Sequence, residues 1–500
     1  MNISRKKLSR FFVFIFGFCI SLYLLVDKNY FLSQNSFYHY KIAQLYSQAD
    51  FNLNNLPSMK GSLFDTHFIN QHSFYHILYA PIVALFSPFL AGKIMTGLMI
   101  GILMTSIQYL FASLKVVMPT LFSLVALFST YLGYKRLLWE RPTALILTMV
   151  ILYLAFLFKR KKPIYIGVLT FVAVQFSYVA LLLLPLAIIY SLVCFSEKKM
   201  LEKRVMTLIW STVGGMILGL LCSKAPFDNI SYCFQLIFNN TMTNVSIFEW
   251  KPPFDIIKKY KISVLSLTTG VAFVTLFPTK IKLEQKVLLL VLLMFFIQFL
   301  KAVRFETYFV IFSFILMFSF ITKNNIKTFI PSSFSKRFKS LTILFFTLFV
   351  LVFPVQSLWY SKQNFQGASR DIYSLSDFYV WYKTSKYKNE PFLNYKWEYW
   401  SELFYFDKNN KSIPGYSGFL FKKVNSDKYS VYEHFRYNTK DLTEVDILTI
   451  QREWQIDLVL ADSNSKLVKL FKRGHAISKF LSVIKEGDNY VFFKLKTPAQ

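Results

Sequence analysis

Apolar stretches of about 20 residues recur along the first 358 of the 500 positions, each long enough to cross a hydrocarbon layer of about 30 Å. Backbone amides and carbonyls find no partners in lipid, so stretches of this kind form helices. They fall at 11–26, 74–91, 94–113, 118–134, 142–158, 164–195, 205–222, 262–278, 286–300, 307–322 and 341–358. Composition agrees: 17% of the residues are charged, where a soluble chain has about 25%. The chain reads as a polytopic α-helical membrane protein of about 11 transmembrane helices, with loops outside the bilayer at 27–73 and 224–261. Within the first loop, 37–46 has apolar residues spaced for a short helix lying on the membrane. From 359 to 500 the long apolar runs stop, and strand-like segments at 457–461 and 490–495 alternate with helical ones. That portion is expected to be a soluble α/β domain, leaving 1–358 as the membrane domain.

Charge placement sets orientation. The first stretch follows Arg5, Lys6, Lys7 and Arg10 with no small-residue cleavage site after it, so it reads as an uncleaved helix with its basic end in the cytoplasm. A net charge of +30 raises nucleic acid as a partner, but the basic clusters at 159–162, 198–204 and 336–339 lie between helices, as membrane orientation requires. If every stretch crosses once, the 159–162 cluster falls on the outer side, against the positive-inside rule. Breaking 164–195 near Ser177 and letting 74–113 cross once restores it. Both arrangements put the C-terminal domain opposite the N-terminus. The cysteines Cys19, Cys194, Cys222 and Cys233 have neither disulfide-framework nor zinc spacing.

Polar residues are scarce in the membrane part and uneven. Positions 1–358 hold 11 acids; Glu197, Glu202 and Glu284 sit among lysines, and the other eight fall on or near the outer side. Four of the six histidines, His39, His67, His72 and His76, lie in the first outer loop and the start of the next helix. His72 and His76 are spaced to share a helix face. With Asp65 nearby they either hold a divalent metal or phosphate, or sit as aromatic-like residues at the headgroup level. Arg304 and Glu306 flank Phe305 at a membrane boundary, where charge is expensive unless paired or facing a wet cavity. Arg304 either snorkels or contacts an anionic substrate, since a guanidinium fork suits phosphate oxygens. Arg141, beside Pro142, carries the same two readings.

At these positions the sequence resembles the GT-C superfamily of polyprenyl-phosphate-dependent glycosyltransferases, in the branch of oligosaccharyltransferase catalytic subunits. Asn35-Ser36-Phe37-Tyr38-His39 is similar to the Asp-x-x-Tyr-His element after that branch's first helix. The stretch from Asn70-Gln71-His72 through His76 to Pro81 resembles a second loop-to-helix element of uncharacterised bacterial relatives. Ser246-Ile247-Phe248-Glu249 resembles the Ser/Thr-Ile-x-Glu motif, and Arg304-Phe305 with Tyr308 resembles an Arg-Phe element contacting lipid-linked phosphate. The order of the four elements covers most of the first 320 residues. Asn35 and Asn70 stand where that branch carries acids, and the Trp-Trp-Asp acceptor motif is absent; Trp397-Glu398-Tyr399-Trp400 reads as part of the tail's core.

The resemblance implies an inverting GT-C glycosyltransferase in a bacterial cytoplasmic membrane. It would move a sugar from a polyprenyl-phosphate carrier to an extracytoplasmic glycan, lipid or protein. Asp65 and then Glu249 are implied as catalytic carboxylates, and Asp65, His67 and Glu249 as ligands of a divalent metal such as Mg or Mn. Arg304, Arg141, His39, His72, His76, Asn35 and Tyr308 are implied in substrate and phosphate binding. Two alternatives stay open: a non-catalytic member that binds a lipid-linked glycan within an envelope assembly, and a glycolipid transporter. The second calls for paired interrupted helices in two related halves, and no such repeat is present.

Overall fold

Prolines open several of the helices and glycines set how closely they lie. The computed structural model describes residues 5–25, 34–48, 70, 72–128, 136–139, 141–198, 203–222, 226–227, 281–301, 305–322, 375–396, 399–407, 409, 411–413, 426–437, 439 and 443–496. The loop at 224–261, apart from 226–227, and the stretches at 262–278 and 341–358 lie outside the described residues. The helices of the first part are α1 (Arg5–Leu25), α2 (Gln34–Ser47), α3 (Ser73–Leu85), α4 (Pro88–Ser113), α5 (Pro119–Phe128) and α6 (Thr143–Phe158). They continue with α7 (Pro163–Phe176), α8 (Leu183–Lys198), α9 (Lys203–Leu221), α10 (Leu283–Lys301) and α11 (Glu306–Ser319). Among the described residues five helices are long and apolar enough to cross a membrane: α1, α4, the Tyr178–Glu197 run that includes α8, α9 and α10. Five shorter apolar helices accompany them: α3, α5, α6, α7 and α11.

One expectation is corrected in detail and another is met. The 74–91 stretch is not one crossing helix: α3 ends at Leu85 after 13 residues, about 20 Å at helical rise, and Pro88 opens α4, which then runs 26 residues. The 164–195 stretch does break where expected. Helix α7 begins with Pro163 at its first turn and stops at Phe176. Ser177 is extended, and its hydroxyl accepts the Val179 amide at 3.3 Å, capping a 3-10 turn that leads into α8.

The described fold divides into two units. The helical unit comprises Met1–Asp27, Gln71–Tyr75 and Leu90–Gln366. Its helices approach through glycine. A Cβ on Gly101 would meet the Phe14 ring and carbonyl at 2.8 Å, and one on Gly97 would meet Phe18 at 2.9 Å, so α1 and α4 run antiparallel in close contact. A Cβ on Gly215 would strike the Gly167 carbonyl, and one on Gly219 would meet Val174 at 2.9 Å, so α7 and α9 run parallel. Phe295 stacks on Tyr308 (5.2 Å) and Phe299 on Phe309 (5.5 Å), pairing α10 with α11 antiparallel.

These contacts sort the helix ends. The Lys159 ammonium and the Arg10 guanidinium both lie on the Tyr109 ring, 3.4 and 4.9 Å from its centroid. Arg204 donates to the carbonyls of Arg160 and Lys161, Lys286 pairs with Glu197, and Gln285 donates to the Ser319 carbonyl at 3.2 Å. One end of the unit therefore gathers the starts of α1, α7, α9 and α10 with the ends of α4, α6, α8 and α11. The 159–162 cluster lies at the same end as Arg10, which is the arrangement the positive-inside rule asks for.

The second unit comprises Lys28–Asn70, His76–Phe89 and Gly367–Gln500. Its sheet has strands β1 (Phe392–Asn394), β2 (Ser412–Ile413), β3 (Leu458–Asp462), β4 (Leu481–Glu486) and β5 (Tyr490–Leu495), in the order β2-β1-β3-β5-β4. β1 pairs parallel with β2 and β3, and β5 antiparallel with β3 and β4. Side chains alternate with the strand period. Leu458, Leu460, Tyr490 and Phe492 face a core with α12 (Ser376–Thr384) and α13 (Trp400–Phe406). Val459, Ala461, Val491 and Phe493 face a second core with α14 (Ser426–Tyr437), α15 (Glu444–Trp454) and α16 (Lys466–Lys472). The result is a three-layer arrangement with both sheet faces covered.

Helix α2 belongs to this unit, and the expectation of a helix lying on the membrane is corrected. Phe37, Tyr38, Tyr40, Ile42, Ala43 and Leu45 are all buried. Tyr38 packs on Trp400 (6.0 Å) and Phe404 (6.2 Å), and Phe37 on Tyr405 (5.3 Å), all from α13. Aromatic residues on both sides cover α2 with protein. Trp400 is fully buried, as expected of a core residue.

Candidate functional site

Side chains of α2, Asn70 and α3 form a hydrogen-bonded chain inside the second unit. Asn70 donates through its amide nitrogen to the Tyr46 hydroxyl (2.7 Å). Its carbonyl oxygen therefore faces His76 Nδ1, 2.9 Å away, which must carry the proton. The His76 Nε2 of a neutral ring then accepts, and its partner at 2.8 Å is His39 Nδ1. The order of donors runs His39, His76, Asn70, Tyr46. His76 is fully buried and His39 nearly so, with the Tyr38 ring edge-on to both, at 5.0 Å from His39 and 5.7 Å from His76. Burial raises the Tyr46 hydroxyl above its ordinary value against the opposing Asn70 hydrogen bond, and burial followed by the Tyr405 charge pushes Tyr40 up to about 12. Both tyrosines thus stay neutral donors and acceptors at physiological pH.

This geometry bears on the metal reading. Two imidazoles on one tetrahedral zinc-like ion, bonded at about 2.0–2.1 Å, would place their nitrogens roughly 3.3 Å apart. His39 and His76 approach to 2.8 Å and bond each other. Among the described residues no group of three histidines, cysteines or acids is arranged to hold a metal. Asp65, His67 and Glu249, the expected ligands, lie outside the described residues, as does Arg304.

The expected pairing of His72 with His76 is corrected. Helix α3 begins at Ser73, so His72 precedes it. In the helical unit, His72 Nδ1 bonds the Phe176 carbonyl at 2.8 Å, and Ser73 bonds the Gln175 side chain at 3.3 Å. Gln175 in turn donates to the Gly219 carbonyl. The break at Ser177 frees the carbonyls at the end of α7, and His72 occupies one of them.

The end of the helical unit opposite Arg10 also holds Arg141 and Tyr308, two other described candidates. Arg141 lies 4.7 Å over the Trp139 ring and Tyr308 is buried in α11. Asn35 is half-buried in the first turn of α2, in the second unit. Two buried charged residues stand out: Lys93, which sequence reasoning passed over, and Glu306, which it noted beside Phe305. Lys93, in the second turn of α4, is 8% exposed, and Glu306, in the first turn of α11, is 2% exposed. Among the described acids of positions 1–366, Glu306 is the buried one; Glu197 and Glu284 sit at the other end. A helix N-terminus favours an anion there. The signal for both was the same: an ionisable residue inside an apolar stretch is retained at a cost.

No protein-family model matches the sequence, and no curated protein matches it. Solved structures do. The oligosaccharyltransferase of Archaeoglobus fulgidus in its apo form superposes with a TM-score of 0.63 at 10% identity, over 92% of this chain and 70% of that one. This chain has the fold of that archaeal oligosaccharyltransferase. The same archaeal enzyme tethered to an acceptor peptide with an NVT sequon gives 0.63 at 11% identity, over 95% of this chain and 72% of that one. In complex with an inhibitory peptide and a dolichol-phosphate it gives 0.61 at 11% identity, over 94% and 71%.

Proposed function

We propose that the chain is an integral membrane glycosyltransferase that moves a sugar from a polyprenyl-phosphate carrier to an acceptor outside the cytoplasm of a bacterium. The observation that carries the reading is the oligosaccharyltransferase fold extending over nearly the whole chain. The lipid-phosphate donor is inferred from the archaeal enzyme's complex with dolichol-phosphate. The N-terminus is cytoplasmic, and the domain from 359 onward is extracytoplasmic.

In the reaction the acceptor oxygen attacks the anomeric carbon, the bond from that carbon to the phosphate oxygen breaks, and the lipid phosphate leaves with the electron pair. Arg304, with Arg141 and the buried Lys93, neutralises that phosphate. Asp65 or Glu249 takes the acceptor's proton. Asp65, His67 and Glu249 would hold a divalent ion, which supplies Lewis-acid stabilisation when bound. Tyr308 supports the arginine segment at the start of α11. The chain from His39 to Tyr46 ties α2 to His76 of α3. His72 ties the start of α3 to the end of α7. Asn35 replaces the acid expected at its position, which favours one second reading: a member that binds the lipid-linked glycan without turning it over.

The test is reconstituted transfer from a polyprenyl-phosphate sugar. Arg304→Ala and Asp65→Asn are expected to lose transfer by about 100-fold or more, with expression and insertion unchanged. Normal transfer by both variants removes the site assignment. Tight donor binding without turnover in the wild type selects the non-catalytic reading.

A further inference from the structure

At the Arg10 end of the helical unit, cations are gathered rather than dispersed. Lys159 and Arg10 share the Tyr109 ring. A ring attracts each cation, but the two cations repel one another, more strongly as the dielectric falls. The turn after α6 continues with Arg160, Lys161 and Lys162, all exposed. Arg160 adopts a left-handed φ of 49°, a costly conformation for a residue with a Cβ. Arg204 holds the turn by donating to the carbonyls of Arg160 and Lys161, the latter at 3.0 Å. Its charge is thus added to the cluster. Among the described residues, the acids at this end are Glu197, which Lys286 holds, and Glu284. Neither is paired with the cluster.

Such an arrangement suits an anion with several oxygens. The neighbouring surface says which kind. Directly beyond the cations, α7 exposes Ile164, Tyr165 and Val168 on one face, and its neighbour α9 exposes Met206 and Trp210. A free phosphate has no use for that apolar surface, whereas an acyl chain does. We infer that this end of the helical unit binds an anionic phospholipid, with its phosphate oxygens on Arg10, Lys159 and the Lys161–Lys162 turn and its acyl chains along α7 and α9. The site lies at the end of the bundle away from Glu306 and Lys93, and it stands whether or not the chain transfers sugar.

The full-length protein, purified in a neutral detergent, is titrated with phosphatidylglycerol, phosphatidylcholine or inorganic phosphate. Native mass spectrometry reads retention and thermal unfolding reads stabilisation. Phosphatidylglycerol alone is expected to be retained and to raise the unfolding midpoint. The R10Q/K159Q and K161Q/K162Q variants are each expected to bind it about 30-fold more weakly. The second pair is exposed, so its folding is not at risk. Lys286→Gln, outside the cluster, is expected to bind as the wild type does. Equal retention of phosphatidylcholine, unchanged affinity in K161Q/K162Q, or full stabilisation by inorganic phosphate overturns the inference.

Discussion

The two units bury polar groups by different rules. In the helical unit, backbones touch through Gly97, Gly101, Gly215 and Gly219, aromatic rings fill the gaps, and charge is kept mainly to the helix ends. The second unit in addition links several polar side chains in sequence. His39, His76, Asn70 and Tyr46 form one chain, and the Glu402 carboxylate accepts the Leu375 amide at 2.9 Å. Hydrocarbon offers little hydrophobic drive between helices, so association there rests on close packing. A sheet covered by helices on both faces can carry buried networks that fix a unique geometry. The helical unit should therefore be sensitive to volume, and the second unit to the loss of a partner.

The largest effect expected is Gly215→Leu. Its side chain has the Gly167 carbonyl and Thr170 in the way, and backbone cannot step aside cheaply. Overpacking of this kind costs about 3 kcal/mol or more, read as loss of monodisperse protein on size exclusion. Gly214→Ala, one residue away with open space around it, is expected to behave as wild type; equal damage at both positions would break the volume rule.

Next is His76→Ala, which leaves His39 Nδ1 and the Asn70 carbonyl oxygen without their shared ring. At about 1–3 kcal/mol for each of the two groups, the cost is about 2–6 kcal/mol. Thermal unfolding measures it, and a shift no larger than that of an exposed alanine substitution would deny the chain a structural role.

A smaller effect is expected on the acid side of the sheet. Burial works to raise the Asp462 carboxyl. Hydrogen bonds from Lys396, the Asn464 amide and Tyr399, with the Lys396 charge, outweigh it and hold the group below its ordinary value. A depressed carboxyl contributes stability that is full above the unfolded value of about 3.9 and is lost as pH falls through the folded value. The wild type should lose stability below about pH 4, and Asp462→Asn should lack that part of the decline while being less stable at neutral pH. Parallel decline in both would assign the acid sensitivity elsewhere.

The smallest is Lys286→Gln. Its partner Glu197 is exposed, and such pairs contribute about 0–1 kcal/mol. A large loss of stability would mean that the helical unit depends on charge as well as packing.

What was legible in the sequence followed the same division. Apolar length identified the helices, and Ser177 identified a break because a hydroxyl can cap the next turn. The strand-like run at 490–495 matches β5 to the residue. Hydrophobicity could not tell a helix lying on the membrane from α2, since burial under protein and burial in lipid select similar side chains. Spacing put His72 and His76 on one face, but the helix starts at Ser73 and the two face different partners. Lys93 and Glu306 were visible as charges in apolar stretches. Their burial depends on neighbours distant in sequence, which no local pattern reports.

The cover that α13 gives α2 also sets an order of events during synthesis. About 350 residues separate Ser47 from Trp400, and at roughly 5–20 residues per second the ribosome needs about 20 to 70 s to span them. For that interval Phe37, Tyr38 and Tyr40 have no Trp400, Phe404 or Tyr405 to rest on. The first loop is thus made early and finished late, and any chain cut short before residue 400 leaves an aromatic helix open to the wrong partner.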